Sequence, residues 1–410
     1  MTPGPVAKRY PHLCAIVINL PEAKYAKKSL QAAPCDGQGR RGPGHGGNPG
    51  GGDGSRVRRG GSGVLRGRIP LSGLTPLQLA GQRVIYSYSG LTPPASLLAQ
   101  IRHGEAAGVI FFTDNIAGEA QISGVIRKLE AADASPANPV RAPLLLMTDQ
   151  EGGQVRRLPG APDLSEKRIG QSADPGAAAT AAGSGAGANL LGVGMNVNLA
   201  PVLDVYRRAG DFDDQFQRSY SRNPHVVSRL GADFIRAQQK TGVAATAKHF
   251  PGLGAATASE DTDTGPVTLN HPAATIRRVD EFPYRAAIAA GVKFVMVSWA
   301  VYPSLDPKRP AGLSPIVVGR ELRTRLGFTG VTITDALEAG ALKAFGTFAN
   351  SAVLAASAGM DLILCADGSS AEGAAATDGL RAAYDDGVLN HAAFRAAVTR
   401  IIALRRGLPG

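Results

Sequence analysis

From about Leu71 onward, short apolar runs recur along the chain, each followed by a longer, alanine-rich segment of helical character. The runs are Arg83–Ser89 (RVIYSYS), Gly108–Thr113 (GVIFFT), Pro143–Thr148 (PLLLMT), Met195–Ala200 (MNVNLA), Val243–Lys248 (VAATAK), Val292–Ser298 (VKFVMVS), Val331–Thr334 (VTIT) and Asp361–Cys365 (DLILC). Their β-branched and aromatic content favours strand, and short runs between turn signals fit strands buried on both faces. Eight strands alternating with helices over roughly 335 residues predict an α/β fold, a (β/α)8 TIM-type barrel. An open dinucleotide-binding sheet is disfavoured, because Ser89-Gly90-Leu91-Thr92-Pro93 after the first run lacks the glycine fingerprint.

The polar residues cluster where these runs end. The third is followed by Asp149-Gln150-Glu151-Gly152-Gly153-Gln154-Val155-Arg156-Arg157, and the fourth by Pro201–Val205 and then Arg218-Ser219-Tyr220. The fifth ends in Lys248-His249-Phe250-Pro251-Gly252, the sixth in Ser298-Trp299 and the seventh in Asp335. Taken alone, Asp335 reads either as the N-cap of a helix starting near Glu338 or as a catalytic group at a barrel mouth. Likewise Arg218 alone reads as a surface partner of Asp213 or Asp214, and His249 as a satisfied core histidine. Five clusters at the C-terminal ends of barrel strands converge on one face, and that favours a site. Gly152-Gly153 would let the backbone approach a ligand closely.

Charge and cysteine content change little in this picture. The formal charge of +11 points to nucleic acid or a membrane only until it is located. Residues 1–60 hold ten Lys/Arg against three Asp/Glu, so most of the excess belongs to the leader and the body has an ordinary surface. Within that leader, Asp36 to Gly63 contains 13 glycines and no apolar pattern, so residues 1–63 are expected to be disordered and the catalytic domain to span 74–407. Lys8-Arg9 before Leu13–Leu20 faintly resembles a signal peptide, but Asn19 interrupts the run and no compartment follows from it. Cys14, Cys35 and Cys365 have neither metal nor disulfide spacing, and no run is long enough for a membrane helix.

No zinc-type ligand set and no phosphate-binding loop is present, so no metal or organic cofactor is expected. Asp, Arg and Lys side chains around the single Trp are what a sugar pocket needs: charged groups hold hydroxyls, and an aromatic face packs on the C–H surface of a ring. Asp335 would then attack the anomeric carbon while a second group protonates the leaving oxygen. The expected partner is a carbohydrate, without nucleic acid, and the protein is expected to act as a monomer.

The motifs DQEGGQVRR (149–157), NLAPVLDV (198–205), Arg218-Ser219-Tyr220, KHFPG (248–252), YPSLDP (302–307) and TDAL (334–337) resemble, in order, those of glycoside hydrolase family 3. The likeness is to its single-domain bacterial β-N-acetylglucosaminidase branch. It implies a retaining, exo-acting glycosidase with Asp335 as nucleophile, and Asp149, Arg157, Arg218, Lys248 and His249 holding the terminal sugar. Trp299 is the expected aromatic of the pocket.

One departure stands out. That branch continues KHFPG into a loop whose Asp-Ser-His supplies the acid/base histidine. Here the loop runs Leu253-Gly254-Ala255-Ala256-Thr257-Ala258-Ser259-Glu260-Asp261-Thr262-Asp263, with Asp261 at the histidine position and Ser259 where its aspartate should be. Asp261 is therefore the candidate acid/base, with Glu260 and Asp263 as neighbouring carboxyls. The alternatives are a β-glucosidase or β-xylosidase, and a non-catalytic glycan-binding barrel.

Overall fold

The computed structural model describes residues 71–410. The leader 1–63, with Cys14 and Cys35, lies outside the described residues. Eight parallel strands close into a barrel in sequence order. They are β1 Val84–Tyr86, β2 Gly108–Ile110, β3 Leu145–Thr148, β4 Val197–Asn198, β5 Ala244–Phe250, β6 Phe294–Val297, β7 Val331–Ala336 and β8 Leu362–Leu364. Val84 opposite Ile363 closes the ring between β1 and β8. Helices Ala95–Arg102, Glu119–Asp133, Pro175–Val193, Pro224–Lys240, Phe282–Ala289, Ile316–Arg325 and Phe348–Ala358 each follow one strand, and Ser370–Asp385 with His391–Arg405 complete the ring after β8. Among the described residues no helix is long and apolar enough to cross a membrane.

All eight expected runs contain a barrel strand, but most strands are shorter than the runs. The run 195–200 keeps only Val197–Asn198 because asparagine side chains take over its neighbours' backbone groups. Asn196 accepts the Leu146 N–H at 3.0 Å and donates to the Leu144 carbonyl at 2.8 Å. Asn198 accepts the Gln150 N–H at 2.9 Å and donates to its carbonyl at 3.0 Å. The two strands that carry the most site residues, β5 and β7, extend beyond their runs.

The period-two alternation of each strand splits the core in two. Ile85, Leu145, Met147, Phe294, Met296, Val331, Ile333 and Leu362 fill the barrel interior. Tyr86, Val109, Phe111, Leu146, Val295, Val297 and Ile363 face outward into the helix layer. At the N-terminal end, Arg323 and Arg400 grip Asp361 at 2.5 and 3.1 Å. The fully buried Arg405 donates to the carbonyls of Pro143 and Ala142 at 2.7 and 2.8 Å. That end is tied shut, and the opposite end is open.

Candidate functional site

Continuing the inward alternation past the strand ends brings three charged residues to the mouth of the barrel. Asp149 lies two beyond Met147, Lys248 two beyond Thr246 and Asp335 two beyond Ile333. They line a cavity of about 350 Å³, together with Ile110, Leu199, Met296 and Leu364, which come from four other barrel strands or their ends. His249 lines it as well, although it is adjacent to Lys248. The β5–β6 register shifts between Ala247 and Phe250, which breaks the strict alternation. A ribbon formed by Gln150–Gly152 and Val155–Arg156 places Arg157 at the rim, 4.0 Å from Asp149. Asp335 closes β7 rather than opening a helix. The 3-10 helix Gly340–Phe345 that follows has Ala339 at its N-cap and the next α-helix has Thr347, so the N-cap reading of Asp335 is set aside.

One wall consists of cations, each seated on buried carboxylates. Lys248 Nζ lies 2.8 Å from both Asp149 and Glu151. Arg218 makes a two-pronged contact to Glu151 at 3.0 Å on each prong and reaches Asp213 at 3.3 Å. Burial by itself would raise the Glu151 carboxyl, but Arg218 and Lys248 outweigh it and hold it at about 2. Burial opposes the charge on Lys248, yet Asp149 and Glu151 keep its ammonium above the ordinary value. His249 Nδ1 is 2.6 Å from Asp204, which overcomes burial and raises the imidazole, favouring the cation. Behind it, burial and then the Asp204 charge push Asp213 up to about 7.

Asp204, Asp213 and His249 bring three possible metal donors within 4.8 Å of one another. Both oxygens of Asp204, one oxygen of Asp213 and Nδ1 of His249 are already committed. Asp204 Oδ1 accepts the N–H groups of His249 and Leu253 at 3.3 and 2.6 Å, Oδ2 is 2.6 Å from the imidazole, and Asp213 faces the Arg218 guanidinium. The trio forms a hydrogen-bonded support for His249.

The facing wall is acidic: Asp335, Asp261, Asp263 and Glu338 all line the cavity. Asp335 Oδ1 accepts the Ala336 N–H at 2.9 Å. Burial, then the charges of Asp335 and Asp261, raise Asp263 to about 6. Burial lifts Glu338 to about 7 despite hydrogen bonds to its carboxylate.

Seven of the eight sequence candidates thus surround one cavity: Asp149, Arg157, Arg218, Lys248, His249, Asp261 and Asp335. Trp299 does not. It is fully buried on the outer side of β6, at odd spacing from the inward Met296, and its indole N–H donates to the Ala336 carbonyl at 2.8 Å. Its role is to brace the residue after Asp335, and the aromatic faces of the cavity come from Phe112 and Phe212. Trp299→Phe should cost about 1–3 kcal/mol through the lost bond and reduced packing, read as a lower urea midpoint. The reading of Gly152-Gly153 is also corrected. A Cβ on either would strike the Leu164 carbonyl or the Ser165 side chain, so these glycines allow a close chain–chain approach, not a ligand contact.

The closed parallel barrel thus carries opposed acidic and basic walls at its C-terminal mouth. Residues 83–404 match the glycosyl hydrolase family 3 N terminal domain, and the chain belongs to that family. It is 47% identical over 330 residues to an uncharacterized secreted glycosyl hydrolase of Arthroderma benhamiae, covering 80% of this chain and 93% of that protein. A β-hexosaminidase of Xylella fastidiosa is 32% identical over 288 residues, 68% of this chain and 82% of the relative. The solved family 3 β-N-acetylglucosaminidase of Paenibacillus sp. str. FPU-7 superposes with a TM-score of 0.76 at 35% identity, over 82% of this chain. This chain spans 62% of that protein.

Proposed function

We propose that this protein is a retaining, exo-acting β-glycosidase that removes terminal β-linked N-acetylglucosamine from cell-wall or chitin-type fragments. The observation that carries this reading is the position of Asp335. It is a carboxylate at the end of β7, facing a wall of basic groups already neutralised from below. The Asp335 carboxylate attacks the anomeric carbon as the glycosidic C–O bond breaks, giving a glycosyl ester that water later hydrolyses. Lys248, Arg218 and Arg157 donate to ring hydroxyls, Asp149 accepts from them, and His249 lies where a cation stabilises charge developing on the sugar's 2-substituent. The proton for the leaving oxygen comes from the loop after Gly252. The relatives described as β-hexosaminidase and β-N-acetylglucosaminidase favour a 2-acetamido sugar.

The missing loop histidine favours a second reading, a glycan-binding barrel without turnover. Hydrolysis of the 4-nitrophenyl β-glycosides of N-acetylglucosamine, glucose and xylose decides between them. The N-acetylglucosaminide should be preferred by about tenfold or more in kcat/KM, the discrimination expected from a pocket contacting the 2-substituent. Preference for glucoside or xyloside would rename the substrate, and binding without turnover of any of the three would leave only the second reading.

A further inference from the structure

The nucleophile needs a proton donor, and the loop that should carry it offers three carboxyls. Glu260 is occupied outside the cavity, where its Oε2 accepts the N–H and hydroxyl of Thr257 at 2.7 and 2.9 Å. Asp261 reaches the cavity, but its Oδ1 accepts the Asp263 N–H at 2.9 Å, and its carbonyl accepts the N–H groups of Thr264 and Gly265 at 3.2 and 3.1 Å. Asp261 thus closes a turn with its own side chain. Asp263 is the residue this turn presents. Its carboxyl lines the cavity, and among the described residues no donor bonds it.

The turn is also joined to the nucleophile's own connection. The Asp263 carbonyl accepts the Gly340 N–H at 2.8 Å, and the Thr262 carbonyl accepts the Ala341 N–H at 3.0 Å. Gly340 lies in the segment that leaves β7 just after Asp335. A Cβ there would sit 2.4 Å from the Thr264 carbonyl carbon and oxygen, so only glycine permits this contact without displacing the turn.

We propose that Asp263 is the acid/base partner of Asp335, presented by the turn that Asp261 closes and held in register by the backbone latch to Gly340 and Ala341. The assignment rests on the reading of Asp335 as nucleophile. In the first step the Asp263 carboxyl gives its proton to the glycosidic oxygen as the bond to the anomeric carbon breaks. The leaving group departs as an alcohol and the Asp335 ester forms. In the second step the Asp263 carboxylate takes a proton from water, whose oxygen attacks the anomeric carbon and releases Asp335 as carboxylate. The electrostatics suit both roles. Burial raises Asp263 to about 6, helped by Asp335 and Asp261 and opposed by His249 and Arg218. When Asp335 becomes an ester its charge is gone, which lowers the Asp263 carboxyl and favours the carboxylate that then acts as base. Glu338, the other raised carboxyl of this wall, has its Oε2 held by the Ala366 N–H at 3.2 Å.

The test uses the full chain and two substrates, chitobiose with a poor leaving group and 2,4-dinitrophenyl β-N-acetylglucosaminide with a good one. Asp263→Asn should lower chitobiose turnover by about 10²–10⁴-fold, the usual worth of general acid catalysis, while dinitrophenyl glycoside is still attacked. Azide should then yield the β-glycosyl azide, and the fall of wild-type kcat/KM above about pH 6 should disappear. Asp261→Asn and Glu338→Gln should keep that pH limb and give no azide product. Gly340→Ala should slow chitobiose more than the dinitrophenyl glycoside, whereas a merely structural fault would slow both alike. Azide rescue in Asp261→Asn or Glu338→Gln, with Asp263→Asn behaving as wild type, overturns the assignment alone. Wild type inactive on both substrates, or Asp335→Ala fully active, overturns the nucleophile reading beneath it.

Discussion

Asp335→Ala should retain the fold and lose about 10⁴-fold or more of kcat/KM, in line with removal of a nucleophile that acts as a unit with its partners. Among the described residues the side chain takes part in no ion pair, and its hydrogen bond is to its own neighbour, the Ala336 N–H at 2.9 Å. The strand beneath it is fixed by Val331, Ile333 and the β6 ladder, and the indole of Trp299 braces Ala336. Truncation therefore removes chemistry without removing packing. The measurement is turnover of the dinitrophenyl glycoside, which needs little acid assistance and so isolates the nucleophile. Intact-protein mass should show a glycosyl adduct on Asp263→Asn and none on Asp335→Ala.

Arg218→Met should destabilise the protein by about 3–5 kcal/mol, the cost of leaving a buried carboxylate without its cation. Arg218 is the main opponent of burial at Glu151 and also faces Asp213. The effect should depend on pH in a definite direction. Folded Glu151 titrates at about 2, against an ordinary 4.5. Between those values the unfolded chain binds more protons, so stability rises with pH, is fully present above about pH 5 and fades as pH falls towards 2. Urea unfolding across pH 3–6 should show this slope in wild type and a much weaker one in Arg218→Met. Adding Glu151→Gln to that variant should recover part of the loss, because the second change removes the orphaned charge.

The barrel was legible because each strand is a short β-branched or aromatic run with its own turn signals. Their ends were less so: Asn196 and Asn198 end β4 early by satisfying neighbouring backbone from their side chains, which no propensity encodes. The site residues gathered because strand ends converge at one mouth, so position in the chain already implied position in space. What escaped was pairing across the barrel. Glu151 and Asp204 stand inside motifs quoted from the sequence, yet that they seat Arg218, Lys248 and His249 depends on residues far apart in sequence becoming neighbours. Glu338, three residues past Asp335, could have been found by proximity alone. Trp299 was misplaced although alternation could have placed it, since Phe294 and Met296 face inward and an odd step from them faces the helices.

The loop after Gly252 is also held on its other flank, where the Phe212 N–H donates to the Ala256 carbonyl at 3.0 Å and the Gln215 amide to the Ala258 carbonyl at 2.9 Å. A segment bonded on both flanks is expected to behave as a fixed rim. An incoming glycan should then meet a mouth that is already assembled, and turnover should show no step gated by closure of this loop.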